Sequence, residues 1–101
     1  MSIKHSAPVV IYGPEGCGKT LNAPYLAKLY DKQNVVEADH VPVNPGISYS
    51  HRKLTFGPGM RPDTLYLVSQ DRYRVLDGTF AVFISFETAL NELRVADASG
   101  K

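Results

Sequence analysis

Val9-Val10-Ile11-Tyr12-Gly13-Pro14-Glu15-Gly16-Cys17-Gly18-Lys19-Thr20 is the stretch on which the reading of this chain turns. Val9 to Tyr12 is a short apolar run rich in β-branched residues, and it stops sharply at Gly13-Pro14, as a buried strand does. Beyond the glycines, Leu21, Tyr25, Leu26, Leu29 and Tyr30 recur at helical spacing. That spacing predicts a helix from about Gly18 to Asp31, with those residues on its apolar face. Pro24 falls inside it and is expected to kink it or shift its first turns.

Between strand and helix, Gly13–Thr20 fits G-x-x-x-x-G-K-[ST] without a gap. A chance match in so short a chain is a roughly one-in-several-hundred event. Glycines let a backbone turn around an anion and aim its N–H groups inward. A helix start adds unpaired amides and the positive end of its dipole. The whole run of Gly13, Pro14, Glu15, Gly16, Cys17, Gly18, Lys19 and Thr20 is therefore the candidate nucleotide contact. Lys19 would reach the β- and γ-phosphates, and the Thr20 hydroxyl would take Mg²⁺. Lys19 is expected to be solvent-reachable in an empty site. Cys17 fills a free position of the motif, with no second group fixed beside it to make it a nucleophile.

Val9 to Thr20 resembles the first strand, loop and helix of P-loop NTPases. Gly16 to Pro24 more narrowly resembles small P-loop proteins of bacteriophages and prophages, a group with no settled activity to carry over. The resemblance implies a truncated P-loop core: an α/β fold with a mostly parallel sheet of about four strands and flanking helices. It also implies ATP and Mg²⁺ as ligands. The chain has no N-K-x-D run for guanine, so ATP is the default base.

A metal-positioning acid is needed near the loop. Asn34 to Asp39 reads as a second strand ending in carboxylates. Glu37 and Asp39, two apart, share one face of it. The segment looks similar to the D-x-D of shikimate kinases, and Asp39-His40 is similar to the acid–His pair of gluconate-type kinases. By that resemblance Glu37 faces the metal and Asp39 a substrate hydroxyl. Thr20, Glu37 and Asp39 are thus the candidate metal ligands, and Lys19 and Asp39 the candidate catalytic residues. Ser69-Gln70-Asp71, after a third strand at Thr64–Ser69, is a second acidic candidate. Arg72 and Arg74 are candidates for an arginine finger, on a short helix or turn over 71–76.

A fourth strand is expected over Thr79–Phe86. A closing helix follows, with Phe86, Ala89, Leu90 and Leu93 on one face and Ser85 placed to cap it. Ala96 to Lys101 is expected to fray. Nucleotide kinases suggest the strand order 2-3-1-4. Val41 to Pro62 holds four of the seven prolines and three of the eight glycines, so little regular structure is expected there. The exception is a small hairpin of 47–49 and 53–56 with Ser50 to Arg52 at its tip. This segment is the candidate surface for a protein partner, and Arg52, Lys53 and Arg61 in it could clamp an anionic substrate.

The chain has 101 residues, enough for one domain over 1–101. Its formal charge of +1 gives no electrostatic reason to propose nucleic acid or a membrane as partner. A single cysteine makes no internal disulfide, and with no signal-like apolar stretch this predicts a reducing, cytoplasmic setting. Three functions are compatible with these residues. They are an ATP-binding protein with weak or partner-dependent hydrolysis, a small-molecule or nucleotide kinase, and an interaction module with a relic P-loop.

Overall fold

The structure, a computed structural model, describes residues 5–14, 16–38, 46–50, 53–69 and 73–99. Its elements run β1 (Val9–Tyr12), α1 (Lys19–Leu29), β2 (Asn34–Glu37), β3 (Ile47–Ser50), β4 (Lys53–Phe56), β5 (Thr64–Val68), β6 (Tyr73–Val75), β7 (Val82–Ser85) and α2 (Phe86–Ser99). Four strands form a parallel sheet in the order β2-β5-β1-β7, and three form a small mixed sheet in the order β3-β4-β6. Counted along the main sheet alone, that is the expected order 2-3-1-4.

Alternation along the strands builds two cores. Val9, Ile11, Leu65, Leu67, Val82 and Ile84 face the helices, meeting Ala23, Leu26, Tyr30, Phe86 and Ala89. Val10, Tyr66, Val68 and Phe83 face the small sheet, meeting Ile47, Leu54, Phe56 and Tyr73. Both helices thus lie on one face, and a sheet, not a helix, covers the other. Rings tie the second core together, with Tyr73 stacked on Phe83 at 4.8 Å and Tyr12 tilted against Tyr73 at 5.4 Å.

The connections give the main sheet a topological switch point. The step from β1 to β2 goes towards one edge through α1. The steps from β2 to β5 and from β5 to β7 go the other way, through strands on the opposite face. Opposite directions on opposite faces keep a single crossover hand. The chain therefore leaves the carboxyl ends of the neighbours β1 and β5 in opposite directions, and open parallel sheets bind ligands at such a point.

Several local expectations are corrected. Leu21 and Tyr25 are 79% and 62% exposed. Leu26, Leu29 and Tyr30 are buried as expected, and the rest of the buried stripe is Ala23 and Ala27, whose small side chains let α1 approach the sheet. Helix α1 runs through Pro24 without interruption, starting at Lys19. Residues 73–75 are strand, not helix, because they pair with β4 in register Leu54↔Tyr73. Strand β7 is shorter than 79–86 because its partner β1 offers only Val9 to Tyr12. Thr79 is instead used in a turn, donating its amide to the Leu76 carbonyl and its hydroxyl to the Phe56 carbonyl. Helix α2 continues past Ala96 to Ser99. In the segment 41–62, the hairpin is present and its residues Ile47, Leu54 and Phe56 are buried in the second core. Residues 41–45 and 51–52, part of the candidate partner surface, lie outside the described residues. No helix among the described residues is long and apolar enough to cross a membrane.

Candidate functional site

The glycine-rich loop leaves β1 at the β1–β5 switch point. The Gly13 amide donates to the Val68 carbonyl at the end of β5, 3.3 Å away, which fixes the loop's first residue. Gly16 and Gly18 then take φ of +76° and +103°. Both values are left-handed, where any other residue would be strained. At Gly18 this turn delivers the chain into α1, whose N-terminus no side chain caps and whose first turn holds no acid. Among the described residues, no side chain takes up its opening amides.

Lys19 does not stand out in solvent, as the sequence suggested; it is 8% exposed. Its Nζ folds back across the loop and donates to the carbonyls of Gly13 at 2.8 Å and Pro14 at 2.9 Å. The Cys17 sulfur lies 3.6 Å from the same nitrogen. Two charge-assisted bonds pin the ammonium over the loop. Sulfur is a weak acceptor, so the third N–H keeps capacity for an anion.

Thr20 follows at the exposed start of α1. Its hydroxyl donates to Glu37 Oε1 at 2.7 Å, across from the end of β2. The β2–β5 register places Glu37 level with Leu67, on the helix side of the sheet, which is why it meets α1. A hydroxyl that gives its proton to a carboxylate keeps its lone pairs, and Glu37 keeps a second oxygen. The pair is a donor set of hard oxygens, the type Mg²⁺ takes. Of the predicted site residues, Gly13, Pro14, Gly16, Cys17, Gly18, Lys19, Thr20 and Glu37 come together here. Glu15 and Asp39 lie outside the described residues, as do Gln70, Asp71, Arg72, Arg52 and His40.

The basic candidates do not join them. Arg74 is exposed on β6, level with Thr55, while the next residue back, Tyr73, turns its ring into the second core. Alternation sends Arg74 outward, away from the main sheet. Arg61 precedes β5, at the end of the sheet opposite the loop; its amide is held by the Tyr66 hydroxyl. Lys53 is exposed at the start of β4. Ser69 follows β5 directly and is half-buried.

One contact escaped sequence reasoning. Phe86 packs against the loop, and nothing in the periodicity of 86–93 separates it from an ordinary core residue. Only the β1–β7 register places it beside Gly13. No protein-family model, no characterised protein and no solved structure matches the chain.

Proposed function

We propose that this chain is a truncated P-loop core that binds ATP with Mg²⁺ through Gly13–Thr20, and that its hydrolysis is weak or depends on a partner. The observation carrying this reading is the Lys19 ammonium drawn across the loop onto the Gly13 and Pro14 carbonyls, beside an uncapped helix start. Lysine has no packing reason to fold there, and backbone amides plus one fixed cation are what a phosphate chain requires. Thr20 and Glu37 would hold the metal. When bound, the metal would screen the phosphate charge.

Calorimetric titration with ATP and MgCl₂ tests the reading directly. Binding is expected in the micromolar to millimolar range, since so small a core can bury little of the base. Absence of binding at millimolar ATP, with the fold intact by circular dichroism, rules it out.

A kinase reading is favoured by one observation, the convergence of Glu37 with Thr20. It requires a phosphoryl acceptor as well as ATP. Screening small hydroxyl compounds and nucleoside monophosphates for acceptor-dependent ADP release separates it from plain ATP binding.

A further inference from the structure

Gly13 and Gly18 bracket the loop, and one side chain lies close beside both. The β1–β7 register ends on Tyr12↔Ser85, so the next step sets Phe86 alongside Gly13. At that level β1 breaks into the loop and β7 into α2. A Cβ built on Gly13 would stand 3.1 Å from Phe86 Cβ, and one on Gly18 would stand 3.7 Å from Phe86 Cζ. Gly13 is not among the residues with positive φ. Close approach, and not backbone conformation, is therefore what calls for glycine at that position.

Phe86 is itself held firmly. It is buried among the helix-side core residues, where Cys17 of the loop also packs. It opens α2, directly after Ser85. The Ser85 hydroxyl accepts the Thr88 amide at 3.2 Å and donates to the Thr88 hydroxyl at 2.9 Å, which caps the helix. A capped first turn behind a strand end that pairs with β1 fixes the ring in place.

The geometry points to Phe86 as the positioning residue of the phosphate cradle. Its side chain sets the spacing between the two ends of the loop, and so aims the amides of Gly16 to Thr20. It touches no ligand, and acts through Gly13 and Gly18. This inference rests on the phosphate-binding reading above, but the loop order it describes is measurable without any ligand.

The test compares Phe86→Ala and Phe86→Leu with Leu90→Ala, a core truncation one turn along α2 and away from the loop. Two readouts are taken at a temperature where all variants are folded. The first is amide hydrogen exchange with no ligand. Phe86→Ala is expected to speed exchange at Gly16 to Thr20 by about tenfold over Leu90→Ala, as loss of roughly one such brace implies. The second is calorimetric affinity for inorganic tripolyphosphate with Mg²⁺. Phe86→Ala is expected to lose about tenfold, Phe86→Leu less, and Leu90→Ala almost nothing. Equal exchange in Phe86→Ala and Leu90→Ala overturns the inference, as does affinity that falls only in step with melting temperature. If Phe86→Ala does not fold, Phe86→Leu carries the same two comparisons. A parent chain that ignores tripolyphosphate, yet shows the exchange difference, removes the phosphate reading and leaves the brace standing.

Discussion

The Thr20 hydroxyl donates to the Glu37 carboxylate at 2.7 Å, joining the first turn of α1 to the last residue of β2. The two residues are brought together by the crossover from β1 through α1 to β2, not by chain proximity. Their bond lies at the surface, so it adds little to stability. It sits beside the uncapped start of α1, where the proposed reading places Mg²⁺.

Glu37→Ala is therefore expected to shift melting by less than about 1 kcal/mol in stability while weakening the Mg²⁺-dependent part of ATP affinity. Affinity measured in EDTA should barely change. Equal losses with and without metal would show that Glu37 acts on the loop and not through the ion.

Lys19→Ala is expected to cost both binding and stability. Its ammonium makes two bonds to loop carbonyls, and removing charge-assisted bonds of this type costs about 1.5–3 kcal/mol. Thermal melts without ligand measure that cost, and calorimetry measures the loss of triphosphate affinity. An unchanged melting temperature would mean that the lysine swings free of the loop in solution.

Lys32 is a purely structural counterpart. It is buried, and its Nζ donates to the carbonyls of His5 at 2.7 Å, Ala7 at 2.7 Å and Pro62 at 2.6 Å. Burial pushes its amine below the ordinary lysine value, while the charges of Asp31 and Asp63 pull the other way. Lys32→Met leaves three carbonyls without their donor and is expected to destabilise by about 2–4 kcal/mol. Triphosphate affinity of the folded variant should match the parent, because the clamp sits at the end of the sheet opposite the loop.

Tyr30 gives the fold a dependence on alkaline pH. It is fully buried, and its hydroxyl donates to Glu92 Oε1 at 2.6 Å. Burial first, then the bond to Glu92 and the charge on Glu92, push its pKa well above the ordinary tyrosine value. A folded pKa above the unfolded one means a contribution that is complete below pH about 10 and declines as pH rises further, by about 1.4 kcal/mol per unit. Tyr30→Phe should thus be less stable than the parent by about 1 kcal/mol at pH 8, with the gap closing by about pH 11. Paired denaturant melts across that range check it. A gap that stays constant would remove the ionisation argument.

Hydrolysis by the chain alone is expected to be slow or absent. Phosphoryl transfer needs a metal-positioning acid, a group to orient water, and commonly an arginine at the developing charge. Arg61 and Arg74 are both held away from the loop. An arginine supplied in trans changes turnover by about 10³–10⁵ in P-loop proteins. Phosphate-release assays on pure protein should stay well below about 1 s⁻¹, a typical lower bound for enzymatic turnover. Faster release would direct attention to Arg72→Ala.

The sequence by itself determined the strand, the glycine loop and the helix over 9–29, because each of these is a local matter. β-branched residues favour a strand, left-handed turns need Gly16 and Gly18, and helical spacing follows from nearest neighbours. It also marked Glu37, with Asp39, as a candidate acid, since period-two alternation and a strand end are local as well. Only the tertiary structure decided which side of α1 is buried. Leu21 and Tyr25 fit a helical period as well as Ala23, Leu26, Ala27 and Tyr30 do, and the sheet selects the stripe that lets it approach. Only pairing with β4 made 73–75 a strand, since a three-residue segment has too little pattern to declare itself. Lys19 was drawn into the loop by carbonyls whose positions exist only once the loop is closed. Phe86 came to lie under Gly13 through a parallel register between strands about seventy residues apart, a relation that chain order cannot express because crossovers set it.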